Sequence, residues 1–217
     1  MAARQIAVER CGADAGSESY WQTYAVDMKD SQTLLDALLT IADSIDPTLA
    51  FRRTCRSGIC GSCAGRVNGH ACLLCQLSIG EAAGGRTDAP LSVQPLHGFR
   101  VLRDLVVDMD PFFEEFDRAG AWLIPRPEYD GVLSAEVTRS LWPAMSCVMC
   151  GICAPGQQAG AAPHPAAVTR ILTLARDPRD ATGMDRVRAL GSPPDRRFAE
   201  WLKAVCPKGV DVRGLVE

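Results

Sequence analysis

The spacing of apolar residues changes near the middle of the chain. Up to about residue 95 most apolar runs are short or alternating, and from Arg103 onward they recur at helical intervals. Residues 5–9 and 20–28 alternate in part on either side of a Gly/Asp/Ser-rich turn, which predicts an antiparallel hairpin. Leu34, Leu35, Leu38, Leu39 and Ile41 keep the spacing of one helix face, with Asp30 or Ser31 as its cap and Asp46-Pro47 as its stop. Residues 76–79 and 91–95 read as short strands around a turn-prone stretch. Helices are expected over 105–116, over 166–175 behind Pro165, and over 197–205. Strands followed by helices predict an α+β chain, with a sheet domain over 1–102 and a helical domain over 103–217.

A length of 217 residues accommodates two such domains of about 100 residues each. The net charge of −3 and an aromatic content of 6% give no electrostatic or stacking basis for binding nucleic acid. No apolar run approaches the roughly 18 residues of a membrane span, and the first 17 residues lack the apolar core of a secretory signal. The expectation is a cytoplasmic protein, held at the cytoplasmic face of a membrane only through a partner. Arg170, Arg176, Arg179 and Arg186 read as a solvated helical face, and Trp142 and Trp201 as core.

Cysteine changes this ordinary picture. Ten are present, and all but Cys11 and Cys206 fall in two groups, which in a chain without an export signal points to metal ligation rather than disulfides. Cys55, Cys60 and Cys63 form C-x4-C-x2-C, and Cys75 follows after eleven residues, the plant-type spacing for a [2Fe–2S] cluster. Gly58, Gly61 and the small Ser62 let backbone N–H groups approach the sulfurs. Zinc also takes four thiolates, but its motifs pair two short knuckles, and here one is stretched and the last ligand stands alone. Cys72 competes with Cys75 for the fourth position; the spacing favours Cys75. A Rieske centre needs two histidines, and His70 is alone.

Cys147, Cys150 and Cys153 form C-x2-C-x2-C, three ligands of a bacterial-type [4Fe–4S] cluster. Gln157 and Gln158 stand where the fourth cysteine would follow, and Cys206-Pro207 supplies a remote Cys-Pro instead. A ligand that distant ties the last predicted helix to the loop, so metal binding would stabilise this domain.

With both groups placed, the segments Asp46-Pro47-Thr48-Leu49, Phe51-Arg52-Arg53 and Cys55 through Cys63 closely resemble the iron–sulfur subunit of succinate dehydrogenase and fumarate reductase. Asp104-Leu105-Val106-Val107-Asp108-Met109-Asp110 and Cys206-Pro207-Lys208-Gly209 extend the likeness over nearly the whole chain. The resemblance implies an N-terminal β-grasp ferredoxin domain, a C-terminal α-helical ferredoxin domain, and docking onto a flavoprotein subunit with covalently bound FAD. It also implies three clusters in a row, the last a [3Fe–4S] cluster facing quinone. The family's ligands for that third cluster correspond here to Gln157, Arg196 and Leu202, and no cysteine lies between Cys153 and Cys206. An arginine and a leucine there imply a filled pocket, and the tryptophan that lines the family's quinone pocket has no counterpart over residues 157–170.

The expected function is therefore the electron-transfer subunit of an oxidoreductase complex. It would relay single electrons between an FAD subunit and a soluble redox protein or membrane-anchor subunit that does not use the usual quinone pocket. A conventional quinone-linked subunit is the second reading. A non-enzymatic zinc scaffold or iron–sulfur sensor is a third, of another class.

Overall fold

The computed structural model describes residues 2–12, 18–86, 89–154 and 163–216. Contacts divide the chain into two compact units, Met1–Asp108 with Cys150–Gly156, and Met109–Met149 with Gln157–Glu217.

The first unit is built on a five-stranded sheet ordered β2-β1-β5-β3-β4. The predicted hairpin is β1 (Ala2–Arg10) and β2 (Tyr20–Met28), antiparallel with Ile6 opposite Tyr24. β5 (Leu91–Gln94) runs parallel to β1, and β3 (Ala64–Val67) joins it to β4 (His70–Leu73). Helix α1 (Leu34–Ser44) lays Leu34, Leu35, Ala37, Leu38 and Ile41 into a core shared with Ile6, Val8, Val26, Val67 and Val93. Its cap is Thr33, in a capping box with Asp36, rather than Asp30 or Ser31.

Two expectations for this unit are corrected, and one hairpin is added. Residues 76–79 are not a strand: Ser78 caps a short helix, α2 (Ile79–Ala83), with Glu81 closing the box. The loop between the cysteines contains the β3–β4 hairpin, turned by Asn68-Gly69, both at positive φ. Residues 105–107 are not helical either; β6 (Val101–Arg103) pairs with β7 (Val106–Val107) around Asp104 at φ 47°.

Strand alternation puts Arg10 on the same buried face as Ile6 and Val8, so a guanidinium enters the core. It is fully engaged: Nε donates to Asp104 (2.9 Å), Nη1 to Asp46 and Gln22 (both 2.8 Å) and to the Tyr24 hydroxyl (2.5 Å), and Nη2 to Thr48 (3.0 Å). Asp104 also accepts from the backbone N–H groups of Cys11 and Ala50. Burial, together with the Asp46 carboxylate, pushes the Tyr24 phenol up to about 12. This cluster fixes residues 46–50, the approach to the first cysteine loop.

The second unit is helical. Its elements are α3 (Asp110–Arg118), α4 (Ala135–Met145), α5 (Pro165–Ala175), α6 (Asp185–Arg188), α7 (Arg196–Val205) and α8 (Arg213–Val216). α5 is buried along almost its whole length and packs against α4, α6 and α8. Trp142 and Trp201 are not core: they are 65% and 44% exposed, because Leu141 and Ala144 take the buried face of α4, and Ala199 and Leu202 that of α7. Nor is Arg186 solvated. Buried beside Asp180, it pairs with that carboxylate at 2.7 Å and donates to the carbonyls of Gly120 and Trp122. Among the described residues no helix is long and apolar enough to cross a membrane.

His164 caps α5. Its Nδ1 accepts from the Ala167 N–H (3.0 Å), so Nε2 carries the proton and donates to the Phe112 carbonyl (2.9 Å), with the ring stacked on Phe112 at 4.2 Å. Burial pulls its pKa below the ordinary 6.5, so the unfolded chain takes up the proton first. The contribution of neutral His164 is therefore complete above about pH 6.5 and is lost as pH falls below that value. The stability difference between wild type and His164→Gln, followed by denaturant melts, will shrink from pH 7 to pH 5. A difference that does not vary with pH would remove His164 from this account.

Candidate metal centres

The first centre forms where the chain leaves the Arg10 cluster. Arg56, Gly58 and Gly61 take φ of 56°, 67° and 69°, and this left-handed winding turns successive N–H groups inward. The N–H groups of Ser57, Ile59 and Cys60 lie 3.4, 3.4 and 3.3 Å from the Cys55 sulfur, and that of Gly58 lies 3.2 Å from the Cys75 sulfur. A Cβ at Gly58 would stand 2.6 Å from Gln76 Cδ, so only glycine fits without displacing that side chain. The donors of Ser57 and Ile59, then the Cys60 thiol and N–H, bring the Cys55 thiol down to about 6. Burial pushes the Cys63 thiol up, and the neighbouring Cys75 sulfur interacts with it directly.

Cys60 acts on the Cys55 thiol, and both Cys75 and Cys60 act on Cys63, so the four cysteines are neighbours. A two-iron cluster takes four thiolates, and neighbouring cysteines with converging N–H donors suit it. Cys72 lies outside the loop, on β4 opposite Gly65, where burial pushes its thiol up to about 11. His70 is exposed at the start of the same strand. The ligand candidates and glycines were visible in the sequence; the positive φ of Arg56 and the closure of Gln76 over Gly58 carry no sequence signal.

In the second unit, Cys147 follows the end of α4, and Cys206 ends α7, its N–H still bonded to the Leu202 carbonyl while Pro207 prevents another turn. Burial pushes the Cys147 thiol up; the Met149 N–H opposes this, and the charge of a Cys206 thiolate adds to it. Cys150 and Cys153 fall within the first unit's contacts, beside Gly151 at φ 82°. Of the two residues expected to fill the third-cluster pocket, Leu202 is buried, whereas Arg196 is exposed and pairs with Glu200 at 3.0 Å. Keeping a guanidinium hydrated is the cheaper outcome. Gln157 lies outside the described residues.

Residues 5–114 match the family of 2Fe-2S iron–sulfur cluster binding domains. The chain is 33% identical to the mitochondrial succinate dehydrogenase (ubiquinone) iron–sulfur subunit of Dictyostelium discoideum, covering 94% of this chain and 77% of that one. It is 34% identical to the succinate dehydrogenase iron–sulfur subunit of Paracoccus denitrificans (96% and 83% covered), and 31% identical to the fumarate reductase iron–sulfur subunit of Haemophilus influenzae (95% and 87%). In fold it is similar to a chain of the Mycobacterium smegmatis Sdh1 complex in the apo form, with a TM-score of 0.72, 24% identity, and 96% and 89% coverage.

Sheet, cysteine loop and family match together define an iron–sulfur protein with a [2Fe–2S] domain. The chain belongs to the family of iron–sulfur subunits of succinate dehydrogenase and fumarate reductase.

Proposed function

We propose that the chain relays single electrons between an FAD-bearing subunit and a distal partner in a complex of the succinate dehydrogenase or fumarate reductase type. In this reading residues 1–102 form a β-grasp ferredoxin domain, supported by the strand order β2-β1-β5-β3-β4 with β1 and β5 parallel. Residues 103–217 form an α-helical ferredoxin domain. Cys55, Cys60, Cys63 and Cys75 hold a [2Fe–2S] cluster, and Cys147, Cys150, Cys153 and Cys206 hold a [4Fe–4S] cluster; together they supply one-electron redox chemistry.

The chain's own part is to fix and tune the sulfurs. N–H groups directed at a thiolate favour its charged form, and the Arg10–Asp104–Asp46 cluster holds the approach to the loop in place. The observation that carries the reading is the convergence of the N–H groups of residues 57–60 on the sulfurs of Cys55 and Cys75. Exposed Trp142 and Trp201 support a further subunit that covers the second unit.

For the distal partner, quinone fits at least as well as a soluble redox protein or another membrane subunit, since the Dictyostelium relative is named for ubiquinone. The opposing observation is the lack of any cysteine between Cys153 and Cys206. Anaerobic co-purification with the flavoprotein will give about six irons and six sulfides per chain. Zinc without sulfide would defeat the proposal.

A further inference from the structure

The sulfurs of the first centre are not met alike. Three backbone N–H groups are directed at Cys55 and one at Cys75. Among the described residues none is directed at Cys60, the exposed cysteine of the four. Its partner is a side chain, the Ser62 hydroxyl, 3.1 Å from the Cys60 sulfur. Gly61 stands between them at φ 69°, and the left-handed turn there lets side chains two positions apart meet.

A second hydroxyl backs the first. Thr54 Oγ1 lies 3.4 Å from Ser62 Oγ, so two hydroxyls lead from the residue before Cys55 to the sulfur of Cys60, the longer contact being the weaker link. A hydroxyl has one proton to give and lone pairs to accept with, and it rotates to suit its neighbours. In the free chain either the Cys60 thiol or the Ser62 hydroxyl can donate across the 3.1 Å contact. A metal-bound thiolate has no proton, so the direction is then fixed: Thr54 donates to Ser62, and Ser62 donates to the sulfur. Each bond polarises the next. Ser57 supplies the contrast, since its hydroxyl donates to the Cys55 carbonyl at 2.9 Å and not to a sulfur.

We propose that Ser62 is a positioning residue of the first centre: its hydroxyl, backed by Thr54, donates to the Cys60 thiolate and raises the reduction potential of the [2Fe–2S] site. The proposal rests on the relay reading above, in which Cys60 is a ligand. One electron arriving from the flavoprotein turns one ferric iron ferrous and adds one negative charge to the site. No bond forms or breaks, and the proton stays on Ser62 Oγ. A donor aimed at a thiolate stabilises the more negative state more than the less negative one, so the reduced form gains. Solvent water must reorganise with each change of charge at an exposed sulfur, whereas a serine held by the loop does not.

The test is potentiometry of the first cluster, followed by EPR in the assembled complex with the flavoprotein. Ser62→Ala will lower the equilibrium constant for one-electron reduction about three- to tenfold, a fall of about 30–60 mV at 59 mV per tenfold. Ser62→Thr, which keeps the hydroxyl, will restore the wild-type potential. Thr54→Val will give a smaller fall, because Ser62 then donates without support. Ser57→Ala will match wild type. If Ser62→Ala holds no iron, Thr54→Val against Ser57→Ala decides, and equal potentials in those two overturn the proposal. A wild-type potential in Ser62→Ala, or an equal fall in Ser57→Ala, removes Ser62 from this role and leaves the relay standing. Iron and sulfide absent from the wild-type chain overturn both.

Discussion

Cys75→Ala will abolish the [2Fe–2S] signal in the EPR spectrum of the reduced protein and remove about two irons per chain, whereas Cys72→Ala will leave both unchanged. Spacing favours Cys75 without excluding Cys72. Their placement separates them: the Cys75 sulfur accepts from the Gly58 N–H at 3.2 Å and interacts with Cys63, so it belongs to the wound loop. Cys72 is on a strand, registered against Gly65, and burial disfavours its thiolate. Bringing it to the loop would require unzipping β4 from β3. Loss of the signal in Cys72→Ala, with Cys75→Ala unaffected, would falsify the assignment.

The second large effect concerns Arg10. Replacing it with methionine will cost the first unit about 3–5 kcal/mol in denaturant unfolding, since Asp104 and the partly buried Asp46 would remain without their cation. Arg4→Met is the internal control. Its ion pair with Asp30 is shorter still at 2.6 Å, but Asp30 is largely exposed, so the cost should stay within about 1 kcal/mol. The Arg10 variant should also broaden the EPR signal of the first cluster, because residues 46–50 lose their anchor to β1. Equal costs for the two variants would mean that the buried network contributes no more than a surface pair.

Both effects bear on what the sequence makes legible. The candidate ligands were readable because a cluster imposes its own spacing on a chain: Cys55, Cys60 and Cys63 stand in a wound loop, and Cys206-Pro207 ends a helix. The β1–β2 hairpin and α1 were readable from period alone. The β3–β4 hairpin was signalled by Asn68-Gly69 but obscured by the cysteines around it. The Arg10 cluster was not readable, because its partners stand up to 94 residues away and only strand register brings them together. Trp142 and Trp201 misled for a related reason: apolar bulk predicts burial, but not whether the chain itself or a partner supplies the cover. In α2, Ser78 and Glu81 form a capping box that outweighs the strand-like run before it.

The starts of α1 and α2 are stitched to the segment that carries Cys75. The Leu34 and Leu35 N–H groups donate to the Leu77 and Leu74 carbonyls, and those of Ile79 and Gly80 donate back to Gln32 and Asp30. Any displacement of the Cys75 segment is therefore transmitted to the starts of both helices at once, where Leu34, Leu35 and Ile79 are buried.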